Sequence, residues 1–98
     1  MNIKLNSIGF DPDKKLVQFV NKKVEKLETF YEKIVGTEVF LSLSNSTTGA
    51  NKVSKIKIDI PGDSLFAEKE AASFEEATDL VVEALRRQLK KHKEKERE

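Results

Sequence analysis

Apolar residues recur along this chain with two different spacings, and the changes between them divide it into six predicted elements. Alternating apolar and polar residues predict β-strands at about residues 3–7, 39–43, 56–60 and 64–71. Apolar residues three or four positions apart predict one α-helix after the first strand and another after the fourth. The predicted order is therefore β-α-β-β-β-α.

The first predicted helix carries a single apolar stripe. Asp11-Pro12 predicts its start, because an acidic N-cap residue is often followed by proline at the first helical position. Gly36 predicts its end, since glycine commonly follows the last turn of a helix. The residues of the stripe are Leu16, Val20, Val24, Leu27, Tyr31 and Ile34.

The second predicted helix is apolar on one side and cationic on the other. It begins at the capping box Ser73-Phe74-Glu75-Glu76. Its apolar stripe consists of Ala77, Val81, Ala84, Leu85 and Leu89. Its cationic stripe consists of Arg86, Lys90, Lys93 and Arg97, flanked by Arg87 and Lys91.

The element order predicts an α+β fold. The first strand, the first helix and the second strand should form a right-handed crossover with parallel strands, and short connections should make strands two to four an antiparallel meander. Because each helix has one apolar stripe, we expect both to pack on one face of a four-stranded mixed sheet. The opposite face of the sheet, which carries Lys4, Lys55 and Lys57, should be exposed to solvent.

Length and composition limit what this fold can do. The 98 residues suffice for one core, so we expect a single domain over residues 1–98, with a charged, frayed tail from about residue 94. The chain has no cysteine, which fits a reducing compartment, and no apolar run of signal-peptide or membrane-spanning length. We therefore expect a cytoplasmic protein that does not bind a membrane.

Charge is sorted along the chain, although the net charge is only +1. Residues 73–85 carry four acids and no Lys or Arg, whereas residues 86–98 carry seven Lys and Arg and three acids. On the first predicted helix, four lysines fall within a narrow arc of the helical wheel: Lys15, Lys22, Lys26 and Lys33. Side-by-side helices would merge these cations into a surface able to follow a phosphate backbone. The alternative explanation for these cations is that they only solvate the exposed faces of the helices.

No residue pattern indicates catalysis, a cofactor or a metal. His92 is the only histidine, so the chain offers neither a Cys-His pair nor a multi-histidine metal site. The aspartates are scattered among caps, turns and a helix, and the glycines are isolated. Most aromatic residues, Phe30 among them, occupy positions typical of a core, whereas Phe40 and Phe66 alternate out of phase with the apolar face of their strands.

Two segments resemble the ribosome hibernation promoting factors. Residues 19–28, FVNKKVEKLE, resemble the first helix of that family, and residues 87–93, RQLKKHK, resemble its R-Q-L-x-K-H-K run. The resemblance implies a fold similar to a double-stranded-RNA-binding domain. It also implies binding to 16S ribosomal RNA in the decoding cleft of the small ribosomal subunit. There the protein would block messenger RNA and the A- and P-site transfer RNAs during stress or stationary phase.

The resemblance also assigns candidate RNA-binding residues. Lys23, Lys26, Arg87, Lys91 and Lys93 match basic positions of the family. The cationic stripes alone add Lys15, Lys22, Arg86 and Lys90. Two positions depart from the family pattern, since Glu75 replaces a common aromatic residue and Val17 replaces a frequent arginine.

We expect a monomer when the protein is free, with no small-molecule substrate and no enzymatic activity. The alternative function is a protein-interaction domain whose charged helices dock an acidic protein partner unrelated to the ribosome.

Overall fold

All six predicted elements are present in the computed structural model, which describes residues 3–45 and 49–96. The strands and helices, in chain order, are β1 (Ile3–Ser7), α1 (Lys14–Phe30), β2 (Gly36–Leu43), β3 (Lys52–Ile60), β4 (Asp63–Ala71) and α2 (Phe74–Glu96). Arg97 of the predicted cationic stripe and residues 46–48 of the polar loop lie outside the described residues. A frayed tail from about residue 94 stays a prediction.

The four strands form one mixed sheet in the order β1-β2-β3-β4. β1 pairs with β2 in parallel, and β2–β3 and β3–β4 pair antiparallel, as predicted. The β3–β4 turn contains Gly62 at a φ of +78°, a left-handed conformation that favours glycine. The α+β fold class is therefore confirmed.

Both helices pack on the same face of this sheet, and the core lies between the two layers. The row Leu5, Val39, Ile56 and Ala67 crosses all four strands on the face that meets the helices. Fully buried stripe residues, among them Val20 and Val24 of α1 and Val81, Leu85 and Leu89 of α2, close the core from above.

The opposite sheet face is open. Lys4 and Lys57 are exposed on it, whereas Lys55 is half-buried because its ammonium lies 6.0 Å from the ring centre of Phe40 and 5.6 Å from that of Phe66. Phe66 itself is 61% exposed. The out-of-phase pattern of these two phenylalanines therefore places them on the face away from the core.

The predicted ends of α1 were wrong. Asp13, not Asp11, caps the helix, since its Oδ1 accepts a hydrogen bond of 2.8 Å from the Leu16 amide and Lys14 is the first helical residue. The helix ends at Phe30 because Tyr31 is extended, and Gly36 opens β2 instead of ending α1. Ile34 thus lies beyond the helix and packs against the core from the connecting segment.

The predicted start of α2 is confirmed by its cap. The Ser73 hydroxyl accepts a hydrogen bond of 3.1 Å from the Glu76 amide, and Glu75 and Glu76 occupy the first turn. Acidic residues are favourable there because the helix dipole is positive at its N-terminus. No described helix is long and apolar enough to cross a membrane.

The helices run parallel to each other, and α2 continues past the end of α1. Contacts advance in the same direction along both helices: Lys23 meets Asp79, and Phe30 meets Arg86. From Arg86 to Glu96, α2 extends ten residues further, or about 15 Å. The two C-terminal ends, and the cations near them, are thus brought to one end of the molecule.

We expect Leu85→Ala to lower the free energy of unfolding by about 2–5 kcal/mol, because it leaves a cavity in a core that buries Leu85 completely. Leu80→Ala is the matched control, since Leu80 is on the same helix but 41% exposed, and it should cost at most about 1 kcal/mol. Chemical denaturation measures both. Equal losses would contradict the placement of the α2 stripe.

Candidate nucleic-acid interface

An open groove runs between α1 and α2 on the surface of the helical layer. Five cations line it, Lys23 and Lys26 from α1 and Arg86, Arg87 and Lys90 from α2, together with the acids Asp79 and Glu83 of α2. Phe30, Leu27 and Val82 supply its apolar parts. The sequence did not determine whether the cations of the two helices lie side by side, and the fold brings them together in this groove.

The cations of the groove differ in whether a carboxylate neutralises them. Lys23 forms an ion pair of 3.0 Å with Asp79 and lies 5.3 Å from the ring centre of Phe19. Among the described residues, no acid lies within ion-pairing distance of the other four, which are Lys26, Arg86, Arg87 and Lys90. Those four are exposed and keep their charge available for an anionic partner.

Phe30 joins the groove to the far end of α2. The guanidinium carbon of Arg86 lies 5.1 Å from its ring centre, and the ammonium of Lys93 lies 4.7 Å from it. Lys93 also donates a hydrogen bond of 3.2 Å to the Phe30 carbonyl. Lys93, which does not line the groove itself, is thereby held next to it.

Three predicted residues lie apart from the groove. Lys15 and Lys22 are exposed on α1 and Lys91 is exposed on α2, but none of them lines the groove. The structure thus brings together Lys23, Lys26, Arg86, Arg87 and Lys90, with Lys93 adjacent. The sequence analysis assigned Phe30 to the core. Its contacts with Arg86 and Lys93 depend on the alignment of the two helices, which the sequence does not give.

The last turn of α2 is fastened to the segment that follows α1. The Glu96 carboxylate accepts a hydrogen bond of 2.7 Å from the Tyr31 hydroxyl and one of 3.2 Å from the Lys33 ammonium. Nε2 of His92 lies 3.3 Å from the same carboxylate, and the His92 ring packs edge-on against Tyr31. His92 therefore belongs to a structural cluster.

These contacts shift two pKa values in opposite directions. Burial, followed by the hydrogen bond to Glu96, raises the pKa of Tyr31 to about 12. Hydrogen bonds from Tyr31 and then Lys33 lower the pKa of Glu96 below its ordinary value of 4.5. The contribution of Glu96 to stability is therefore present above pH 4.5 and is lost as the pH falls through its lowered pKa.

The sequence profile of the Sigma 54 modulation protein / S30EA ribosomal protein family matches residues 3–97. The chain belongs to this family. A curated relative, the ribosome hibernation promoting factor of Pseudomonas putida strain KT2440, is 26% identical over 96 residues, which are 98% of this chain and 90% of that protein. The family predicted from the two helix motifs is thus confirmed.

Solved structures of related proteins share the fold. The N-terminal domain of Thermus thermophilus Protein Y is 29% identical, with a TM-score of 0.79 over 94% of this chain and 99% of that one. A ribosomal subunit interface protein from Coxiella burnetii, at 22% identity, gives a TM-score of 0.85 over 95% of this chain and 98% of that one. The second comparison supports the fold alone.

We expect Tyr31→Phe to raise the pKa of Glu96 toward its ordinary value, because the substitution removes the hydroxyl that contributes most to lowering it. Carboxyl-detected NMR titration measures the change directly. Lys33→Gln, which removes the second hydrogen bond, should give a smaller rise. An unchanged Glu96 pKa in Tyr31→Phe would mean that the hydroxyl does not bind this carboxylate in solution.

Proposed function

We propose that this protein binds the small ribosomal subunit through 16S ribosomal RNA in the decoding cleft and inhibits translation by occupying that site. Messenger RNA and the A- and P-site transfer RNAs would then be excluded during stress or stationary phase. The observation that carries the proposal is the groove between the helices, in which Lys26, Arg86, Arg87 and Lys90 remain without acidic partners among the described residues.

The family and the named relatives point to the same partner. The matched family is described as a ribosomal protein family, and the relative from Pseudomonas putida is named a ribosome hibernation promoting factor. The groove adds a physical reason for such a partner, since ribosomal RNA presents closely spaced phosphates and a row of cations releases their counterions on binding. A protein that acts on ribosomes in this way works in the cytoplasm.

The proposed mechanism requires only that the protein occupies its site on the small subunit, and it involves no catalytic turnover. The packed helices fix the backbone positions that carry the cations, so the spacing of the cations along the groove is set before binding. Arg87 and Lys90 extend the basic surface along α2, and the exposed Lys15, Lys22 and Lys91 would add phosphate contacts outside the groove. Inhibition follows because the bound protein and the ligands of translation would require the same volume.

We expect binding to purified small subunits to weaken steeply as salt increases, and the triple variant Arg86→Gln, Arg87→Gln, Lys90→Gln to weaken it by about 100-fold or more at low salt. The slope of log affinity against log salt concentration should be less steep by about two to three for this variant. Each lost phosphate contact reduces the magnitude of that slope by slightly less than one. Fluorescence anisotropy with labelled protein measures both quantities.

The matched control removes the same charge from the sheet. Lys4→Gln, Lys57→Gln, Lys69→Gln changes three exposed lysines that lie outside the groove and should leave the slope nearly unchanged. Equal effects of the two triple variants would show that net charge, and not the groove, governs binding. A folded protein that binds no subunits but captures an acidic protein would favour the alternative function.

We expect initiator transfer RNA and messenger RNA to raise the apparent Kd of the protein for small subunits in proportion to their concentration, as competitors for one site must. A cell-free translation reaction should also be inhibited without consumption of any substrate by the protein. Simultaneous, independent binding of all three ligands would rule out steric occlusion, although ribosome binding itself would stand.

A further inference from the structure

Phe30 contacts two of the proposed RNA-binding cations at once. It is the last residue of α1, it is half-buried, and it packs against the core from the edge of the groove. Arg86 and Lys93 both lie within cation–π distance of its ring. Arg86 and Lys93 are seven residues apart, so one aromatic ring contacts side chains from positions two helical turns apart on α2.

An aromatic ring holds a cation in a way that a carboxylate does not. A carboxylate neutralises its partner, as Asp79 does for Lys23 and Glu96 does for Lys33. A ring attracts the cation through its quadrupole and leaves the full positive charge and most N–H donors free for a phosphate. Among the described residues, neither Arg86 nor Lys93 forms an ion pair.

The backbone of Phe30 adds a second restraint. Its carbonyl accepts one hydrogen bond from Lys93, which fixes where that flexible side chain leaves α2. Long Lys and Arg side chains lose rotamer freedom when they bind, and a side chain already held near its bound position loses less. Holding both side chains near one ring therefore lowers the conformational freedom that they would lose on binding phosphates.

We propose that Phe30 is a positioning residue for RNA binding, with its ring and carbonyl holding Arg86 and Lys93 as charged but unpaired groups aimed at neighbouring phosphates. The inference rests on the proposed function, because it assigns a role within the same basic surface. It goes beyond that function by giving an uncharged residue a specific effect on affinity.

The test compares Phe30→Leu with Phe30→Tyr. Leucine keeps apolar packing but has no π face. Arg86 and Lys93 would then lose their restraint before binding, and affinity for purified small subunits should fall by about 5- to 30-fold. Tyrosine keeps the face and should bind within about twofold of the wild type. Thermal melting verifies that each variant is folded at the binding temperature.

A double-variant comparison separates positioning from general packing. The double variant Arg86→Gln, Lys93→Gln already lacks the cations that Phe30 positions. Adding Phe30→Leu to this double variant should therefore not change its affinity further. Wild-type affinity in folded Phe30→Leu would overturn the proposal. Equal losses for Leu and Tyr, or an undiminished Leu effect in the double-Gln background, would also overturn it.

A measurement on the free protein distinguishes this inference from the proposed function. Side-chain methylene protons of Arg86 and Lys93 should show upfield ring-current shifts in NMR spectra, and these should disappear in Phe30→Leu. Absence of those shifts in the wild type would overturn the inference whatever the binding result. If the shifts are present but the wild type does not bind small subunits, the proposed function fails, and the role of Phe30 in RNA binding fails with it.

Discussion

The burial of two helical apolar stripes on one sheet face determines how the rest of this molecule is arranged. β1 and β4 run in the same direction, because β1 is parallel to β2 and the meander reverses direction twice from β2 to β4. Each helix returns antiparallel to the strand before it. The helices therefore lie parallel, and both C-terminal ends point the same way, which is the condition for a shared basic surface.

The charge distribution along α2 suits the dipole of that helix. A helix dipole places partial positive charge at the N-terminus and partial negative charge at the C-terminus. The acids Glu75 and Glu76 lie at the positive end of α2, and Lys93 and Lys95 lie at its negative end. The distribution that suits this dipole also leaves the last turns of α2 rich in cations, so in α2 helix stability and anion binding favour the same sequence.

The cations of the helical layer have three kinds of environment. Lys23 and Lys33 pair with acids, and such exposed pairs contribute little, about 0–1 kcal/mol each. Arg86 and Lys93 lie against an aromatic ring and keep their charge. Lys26, Arg87 and Lys90 extend into solvent beside them. Among the described residues, Lys26, Arg86, Arg87 and Lys90 thus line the groove without acidic partners, whereas Lys33 is paired with Glu96 at the far end of α2.

The sequence by itself determined the order of elements, the mixed sheet and both apolar stripes, because strand and helix periods are local properties of neighbouring residues. It missed the ends of α1, since Asp11 and Asp13 are equally good capping residues and only the backbone decides which carboxylate reaches the Leu16 amide. It proposed nine basic residues, but their grouping into a groove depends on how α1 and α2 align. That alignment, and with it the contact of Phe30 with Arg86 and Lys93, joins residues more than fifty positions apart. Only tertiary packing decides such contacts, because no local pattern records the register between two helices.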